Sequence, residues 1–350
     1  MNKFILSCLI TVLLFIVPLA VFFTPDRGNL EIERRQIAAF PDFPSKLRSR
    51  YVKKYFHRID EFFADHFPLR TSLLMLSMEL HEVAGDSLDT DKCYRGKENW
   101  LFLGNSYAHC VDKLQGIVTL SSDSLKCQTK EYEEIHDAAK NCGAEFFIFI
   151  GPNKSSIYPE YLPPVIVPRQ RRFIVPLLDT LNDAGINVYD PTARLIAKKN
   201  EGLLYYRTDT HWNAKGAYEA FEGYRKWAVL PPLPPFSLTG VSPHYGDLVN
   251  LGGYKKFPLS AGDAFALEWD ISPDLHKEGS FTTNAEAVSD KKAWIFGDSF
   301  AEALEPYLTA TFKEVHFFKH GDFQTVVSSQ LPKPDFILWI IVERNFAKVE

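Results

Sequence analysis

The longest apolar stretch of the chain lies at its N-terminus, where residues 4–23 carry no charged side chain. About 20 such residues are enough for a helix to cross the hydrocarbon core of a membrane. The stretch ends in Val-Phe-Phe, which lacks the small residues of a signal-peptide cleavage site. The pattern therefore predicts an uncleaved signal anchor over residues 1–24.

The next segment, residues 25–88, is predicted to be a linker followed by amphipathic helices. Residues 25–45 are polar and rich in proline, which favours a linker. From residue 46 the apolar positions recur with a helical period, up to a break at Pro68. A second helix is predicted over residues 72–83. The residues expected to share one face of the first helix are Tyr51, Tyr55, Ile59, Phe62 and Phe63.

From residue 89 onward, short apolar runs alternate with helical patterns. Strands are predicted at residues 145–150, 186–190, 293–297 and 336–342, with helices between them. Several of these strands are apolar throughout, which is typical of strands buried on both faces of a parallel sheet. The pattern predicts a three-layer α/β domain with a mostly parallel sheet over residues 89–350.

Composition and charge narrow the class of partner. The 350 residues are 46% hydrophobic and 24% charged, which is the composition of a globular protein. The formal net charge of -5 offers no basic footprint for nucleic acid. We therefore expect no nucleic-acid partner, and a neutral or weakly charged partner is easier to reconcile with the sequence.

Four cysteines follow the anchor within fifty residues: Cys93, Cys110, Cys127 and Cys142. An even number downstream of an export signal predicts two disulfides, and the spacings lack the paired cysteines of a zinc site. A helix predicted at residues 129–140 would hold Cys127 and Cys142 roughly 20 Å apart, which disfavours that pairing. Crossed or nested pairing remains open, and four free buried thiols are the alternative.

Ser299 is the first candidate for chemistry, in the run IFGDSF at residues 295–300. An apolar strand ends there and a helix is predicted to begin, at the sheet edge where sites form. Free backbone N–H groups at the helix start would face the group that Ser299 attacks. Gly297 would permit a sharp turn and close approach of substrate. The alternative is that Asp298 or Ser299 only caps the helix.

Asp209 and His211, in the run TDTHWNAKG, are the second candidate. A serine hydroxyl needs an adjacent base, and a carboxylate can orient that base. In an extended stretch, residues two positions apart project to the same side, so both could approach Ser299. A structural Asp–His pair is the alternative. A metal site would need more ligands, and His244, Asp247 and Asp263 show no tight spacing, so neither a metal nor a cofactor is expected.

With these motifs in place, the chain resembles the SGNH-hydrolase-like proteins of alginate O-acetylation, the AlgJ and AlgX type. The resemblance rests on six features in order: the anchor, FADHFPLR (63–70), RGKENWLFLG (95–104), GPNKSSIYPEYLP (151–163), DTHWNAKGA (209–217) and IFGDSF (295–300). Each motif alone is weak, but six in order are specific. The Asp-x-His motif precedes Gly-Asp-Ser, as it does in the acetylation family and not in ordinary SGNH hydrolases.

The resemblance implies an SGNH-hydrolase-like, flavodoxin-like fold and gives roles to three residues. Ser299 would be the nucleophile, His211 the base and Asp209 the orienting acid. The family further implies a periplasmic O-acetyltransferase anchored in the inner membrane, acting on an exopolysaccharide. A membrane-bound O-acyltransferase would supply the acetyl groups. The chain ends at Glu350, soon after the last predicted strand, which favours the single-domain AlgJ type over the AlgX type with its carbohydrate-binding module.

Five further residues are weaker candidates. Asn153, Arg344 and Asn345 follow predicted strands at the edge where sites form, and could bind an acidic sugar or complete an oxyanion hole. Lys154 could join them or be a surface charge. Trp212 could stack on a sugar or be a buried structural indole.

Two other functions remain open from the sequence. One is a carbohydrate acetylesterase with the same triad, in which water replaces the sugar acceptor. The other is a non-catalytic assembly subunit of a polysaccharide-modification complex, against which the complete triad argues.

Overall fold

The computed structural model of the protein describes residues 29–30, 35–36, 38–43, 49–66, 91–254 and 257–349. The predicted anchor, Pro68 and the predicted second helix lie outside these residues. In the described part of the chain, no helix combines the length and the apolar character needed to cross a membrane. The chain divides into two compact units, Met1–Ser87 with Gly253–Lys256, and Leu88–Gly252 with Phe257–Glu350.

The first unit contains short antiparallel strands β1 (Asn29–Leu30) and β2 (Arg35–Gln36), and helix α1 (Ser49–Asp65). The predicted amphipathic helix is therefore present. Phe62 is buried and packs edge-to-face against Phe40, with ring centroids 5.1 Å apart. Phe56, which lies off the predicted apolar face, is 59% exposed.

The second unit alternates strands and helices. Its described strands are β3 (Cys93–Arg95), β4 (Leu101–Leu103), β5 (Glu145–Gly151), β6 (Asn187–Tyr189), β7 (Phe236–Gly240), β8 (Phe265–Trp269), β9 (Leu275–Glu278), β10 (Phe281–Asn284), β11 (Ser289–Gly297), β12 (Phe312–Phe318) and β13 (Phe336–Val342). Its described α-helices are α2 (Cys110–Gln115), α3 (Ser122–Asn141), α4 (Lys154–Ile157), α5 (Val175–Asp183), α6 (Thr192–Lys198), α7 (Ala214–Trp227), α8 (Asp247–Leu251), α9 (Glu305–Thr311), α10 (Phe323–Val327) and α11 (Glu343–Phe346).

A large sheet forms the centre of this unit. Among the described residues it has seven strands in the order β6-β5-β13-β11-β12-β10-β9. The strands from β6 to β12 pair in parallel, whereas β10 and β9 extend the sheet with antiparallel pairings. The fold is therefore mixed α/β with a large mixed sheet. The antiparallel edge falls within residues 230–290, a stretch rich in proline and glycine for which the sequence predicted no strands.

Helices cover both faces of the sheet because its central strands are apolar on both sides. Along β5, Phe147 and Phe149 enter one buried cluster together with residues of α7 and α9. The intervening Phe146 and Ile148 enter a second cluster with residues of α3 and α5. The carboxyl ends of β5, β13 and β11 lie side by side, so segments that follow these strands meet at one edge.

The four described cysteines are free thiols, so the prediction of two disulfides is wrong for this structure. Cys127 lies within α3 and Cys142 caps its C-terminus, a separation of roughly 20 Å along a helix. The thiol of Cys110 donates to the carbonyl oxygen of Tyr107 at 2.7 Å, and its burial raises the pKa of Cys110 to about 11. An even number of closely spaced cysteines is therefore not enough to predict disulfides, because two thiols bond only at a specific distance and orientation.

Helix α7 ends in a Schellman motif with an unusual residue. The N–H of Leu230 donates to the carbonyl of Arg225, and the N–H of Val229 donates to the carbonyl of Lys226. Val229 occupies the left-handed position, with φ of 55°, and is 89% exposed. Glycine is the usual residue there, because a β-branched side chain is strained at positive φ.

We expect Val229→Gly to stabilise the protein. A left-handed residue other than glycine costs about 1–2 kcal/mol, and the greater chain entropy of glycine offsets about 0.5–1 kcal/mol, so the net gain is about 1 kcal/mol. Urea unfolding of the purified full-length protein measures it. Val167→Gly is the control, since Val167 is also exposed and lacks the positive φ. Equal effects of the two substitutions would contradict the strain.

Candidate active site

Ser299 lies at the carboxyl end of β11 and begins a short 3₁₀ helix, Ser299–Leu304. Asp298 fixes this turn with both carboxylate oxygens. One accepts from the N–H of Phe300 at 3.0 Å, and the other accepts from the N–H of Val342 at 2.8 Å. The Asp298 carboxylate is thus the cap of the helix and joins the ends of β11 and β13. Ser299 is left exposed, with its hydroxyl free for another partner.

Gly297, predicted from the sequence to permit a close approach, makes that approach to its own helix. A Cβ atom at this position would lie 2.5 Å from the Cβ of Ala301. Any larger residue would therefore push the turn that carries Ser299 away from the strand.

Asp209 and His211 lie in the loop that precedes α7. Asn213 ends this loop and caps α7 by accepting from the N–H of Gly216 at 2.9 Å. The amide group of Asn213 also donates to the carbonyls of Leu203 and Asp263, at 2.8 and 2.9 Å. An asparagine at this position satisfies both the helix start and two neighbouring loops, which fixes the loop that carries His211.

The loop brings His211 onto Ser299. The Nε2 atom of His211 lies 2.7 Å from the Oγ atom of Ser299, and its Nδ1 atom lies 2.6 Å from Oδ1 of Asp209. Because a carboxylate only accepts, Nδ1 carries the proton and Nε2 presents its lone pair to the serine hydroxyl. The three residues that the sequence placed together are thus joined in the order acid, imidazole, serine.

The second oxygen of Asp209 has its own donors. Nε2 of His244 lies 2.9 Å from Oδ2, and the backbone N–H of Asp247 donates to it at 3.1 Å. Burial alone would raise the pKa of Asp209, but the hydrogen bonds from His211 and His244 outweigh it and hold that pKa well below its usual range. The hydrogen bond to Asp209 in turn raises the pKa of His244. His244 also packs over Tyr206, with ring centroids 4.2 Å apart.

Asp209, His211 and Asp247 place possible metal ligands within 4.8 Å of one another. Their atoms are already engaged by protein donors. One oxygen of Asp247 accepts from the N–H of Thr210 at 2.9 Å and the other from its hydroxyl at 2.7 Å. A metal ion would have to break these bonds, so the cluster fits a hydrogen-bond network better than a metal site.

A cavity of about 420 Å³ opens beside Ser299. Its walls include Leu267, Pro306 and Tyr307, and Glu302 lies on its rim. Trp212 contributes to the cavity but is only 1% exposed, because it packs edge-on against Phe300 with ring centroids 5.0 Å apart. Trp212 therefore supports the site from within.

The other candidates lie where β5 and β13 end. The N–H of Asn153 donates to Glu343 at 2.8 Å, and Oδ1 of Asn153 lies 3.4 Å from the Arg344 guanidinium. That guanidinium stands over the ring of Phe300, 5.7 Å from its centroid, and His211 contacts the same ring. Asn345 is exposed in α11.

Sequence reasoning gave too little weight to three residues. From the sequence, His244 and Asp247 are only weak candidates for metal ligands, and Lys154 could equally be a surface charge. The structure places the first two against Asp209 and buries Lys154 at 4% exposure. The position of Lys154 directly after an apolar strand was the one signal that could have favoured a role near the site.

The charge of His244 should contribute to stability in acid and lose that effect as pH rises. Its pKa is raised in the folded protein, so its contribution is complete below the unfolded value of about 6.5 and is lost as pH passes the folded value. We expect the difference in thermal midpoint between wild type and His244→Gln to be largest below pH about 6.5. His276→Gln, at an exposed histidine, is the control. A difference that does not change with pH would contradict this linkage.

Comparisons with known proteins agree with the resemblance found in the sequence motifs. Residues 93–225 match the family model described as SGNH hydrolase-like domain, acetyltransferase AlgX. Curated proteins gave no sequence match. Among solved structures, the O-acetyltransferase domain of Pseudomonas putida AlgJ is 17% identical, with a TM-score of 0.50 over 73% of this chain and 92% of that one.

Two further structures show the same fold. Bacillus cereus PatB1 with a sulfonyl adduct is 13% identical, with a TM-score of 0.56 over 73% of this chain and 96% of that one. A DHHW family protein from Eubacterium siraeum is 15% identical, with a TM-score of 0.52 over 75% and 95% of the two chains. At these identities the likeness concerns the fold. The match over residues 93–225 assigns that segment to the SGNH hydrolase-like AlgX domain family and confirms the resemblance predicted from the sequence motifs.

Proposed function

We propose that the protein is a periplasmic O-acetyltransferase that transfers acetyl groups to a polysaccharide through an acetyl-Ser299 intermediate. The observation that carries the proposal is the pair of short contacts, 2.6 and 2.7 Å, that joins Asp209, His211 and Ser299. The acetyltransferase description of the matching family model and of the AlgJ domain supports the same reaction class.

In the first half-reaction, Oγ of Ser299 attacks the carbonyl carbon of an acetyl donor. The hydroxyl proton passes to Nε2 of His211, and Asp209 stabilises the imidazolium that forms. The tetrahedral intermediate then collapses, the bond to the donor oxygen breaks, and His211 returns the proton to that leaving group. The products are the free donor alcohol and acetyl-Ser299.

In the second half-reaction, a sugar hydroxyl enters the cavity beside Ser299. His211 takes the proton of this hydroxyl while its oxygen attacks the acetyl carbon. When the second tetrahedral intermediate collapses, Ser299 leaves and recovers its proton from His211. Gly297, Asn153, Arg344 and Asn345 are proposed, as from the sequence, to contact the oxyanion or the acceptor.

The setting of the reaction is part of the proposal. Residues 1–24 would anchor the protein in the inner membrane, with the catalytic unit in the periplasm. There it would meet the polysaccharide and a membrane-bound O-acyltransferase that supplies acetyl groups. This setting follows from the sequence pattern and the family resemblance.

Ser299→Ala should lower kcat for acetyl transfer by at least about 1,000-fold, because it removes the nucleophile. Release of chromogenic alcohol from an acetyl ester, and the mass of added oligosaccharides, measure the two half-reactions. Ser237→Ala, at an exposed serine in β7, is the control. Unchanged acetylation by Ser299→Ala would instead support a non-catalytic assembly subunit.

A sulfonyl fluoride should inactivate the enzyme by forming an adduct on Ser299. The solved PatB1 structure carries a sulfonyl adduct. In this chain, the 2.7 Å contact between His211 and Ser299 would activate the serine hydroxyl. Peptide mass spectrometry locates the adduct. Labelling of another residue, with Ser299 unmodified, would contradict the activation.

In the transfer assay, release of acetate without transfer to any sugar would favour an acetylesterase.

A further inference from the structure

Lys154 is a buried cation whose donors are all directed at one loop. It begins α4, directly after β5, and is 4% exposed. Its Nζ atom donates to the carbonyl oxygens of Tyr206 at 3.0 Å, Arg207 at 3.1 Å and Asp209 at 2.6 Å. An ammonium group has three N–H donors, and all three are used on the segment that ends at Asp209.

Two aromatic rings also lie close to this ammonium group. Nζ stands 5.7 Å from the ring centroid of Trp100 and 5.4 Å from that of Phe102. Among the described residues, no carboxylate forms an ion pair with Lys154. Backbone carbonyl dipoles and aromatic faces therefore stabilise the charge, and breaking their geometry would leave a buried cation without partners.

The consequence is that Asp209 is fixed at both its backbone and its side chain. Lys154 holds its carbonyl oxygen, while His211 and His244 donate to its carboxylate. Without Lys154, the carbonyls of Tyr206 and Asp209 would lose this donor in a buried setting, and the loop would rearrange. The carbonyl of Arg207 would keep the N–H of Leu101, at 2.9 Å. A small rearrangement here changes the distance between Asp209 and His211.

We propose that Lys154 is a positioning residue that, as an ammonium ion, holds the backbone of residues 206–209 so that Asp209 faces His211, and that the loss of its proton limits activity at alkaline pH. The proposal rests on the proposed function, because it acts through Asp209 and His211. A neutral amine has two N–H donors, so one of the three hydrogen bonds from Lys154 is lost when the proton leaves.

The electrostatics place this change in an accessible range. Burial lowers the pKa of Lys154 to about 8, against the opposing fields of Asp209, Asp247, Cys93 and Asp263. The pKa values of two other groups at the loop are also shifted. Burial raises the pKa of Tyr206. The hydrogen bond between His244 and Asp209 raises the pKa of His244.

Stability and activity should separate in this pH window. The pKa of Lys154 is about 8 in the folded chain and about 10.4 in the unfolded chain. Between these values the unfolded chain binds more protons at this residue, so its contribution to stability increases with pH. An alkaline loss of activity caused by Lys154 is thus a loss of positioning and occurs without unfolding.

The test is the profile of kcat and KM between pH about 6 and about 10 for the full-length protein. Wild type should lose kcat with a midpoint near pH 8 while its thermal midpoint is maintained. Lys154→Met should lower kcat by about 100-fold with little change in KM, since a misplacement near 1 Å costs about this much. Lys154→Arg, whose charge does not titrate, should restore part of kcat and shift the alkaline limit upward.

Lys199→Met is the matched control. Lys199 is also largely shielded and donates to a backbone carbonyl, that of Ile157, but its other contacts are with Glu160 and the ring of Tyr158. Within the described part of the chain, Lys199 forms no hydrogen bond or ion pair with residues 206–209, so its substitution should leave the alkaline limit in place. An equal fall of kcat in both methionine variants would overturn the proposal.

A measurement on wild type guards against variants that fail to fold. The ¹³Cε shift of Lys154, followed by NMR, should titrate with the same midpoint as kcat. The proposal would be overturned if Lys154 stayed protonated while kcat fell. It would also be overturned if Lys154→Met kept the kcat of the wild type. Ser299→Ala tests the proposed function separately, because it leaves every contact of Lys154 intact.

Discussion

The carboxylate of Asp209 is the interaction on which the rest of the site depends. It accepts four N–H donors, from the ring and backbone of His211, the ring of His244 and the backbone of Asp247. Two separate stretches of chain are thereby tied to one buried anion. Because the anion is kept by these donors, the protonation pattern of His211 is decided, with Nδ1 as donor and Nε2 as acceptor toward Ser299.

Two further carboxylates organise the strand ends without facing the serine. Asp298 joins β11 to β13 through the N–H of Val342. Glu343 joins the end of β13 to the segment after β5, by accepting from the N–H of Asn153 and the hydroxyl of Ser156. Each of these acids satisfies backbone N–H groups that the end of a strand leaves open. These hydrogen bonds join the carboxyl ends of β11, β13 and β5 beside the site.

The sequence predicted the parts of this arrangement that follow from strong local patterns. The apolar runs of β5 and β13 and the two short motifs around His211 and Ser299 have such patterns. The antiparallel strands β7–β10 did not, because most of their side chains are exposed or half-buried and lack a clear period. The sequence did not indicate His244 as a partner of Asp209 because His244 lies in that stretch. There, the spacing between residues does not indicate which side chains lie close together.

The sequence marks Lys154 only as a weak candidate for a different reason. Lysine is almost always exposed, and only tertiary structure can supply three carbonyls and two aromatic rings. The cysteines show the converse error. Their number and spacing suggested pairing, but whether two thiols can bond depends on distances that the folded chain alone determines.

Phe300, the residue after the serine, connects these motifs by packing. Its ring is fully buried and contacts His211, Trp212 and Arg344. A Cβ atom on Gly151, at the end of β5, would lie 2.5 Å from this ring. The side chain of Phe300 therefore packs against both Gly151, at the end of β5, and the loop that carries His211. The ring of Phe300 thus gives the imidazole of His211 an apolar surface to pack on. The hydrogen bond to Asp209 then determines the rotation of the imidazole and which of its nitrogen atoms carries the proton.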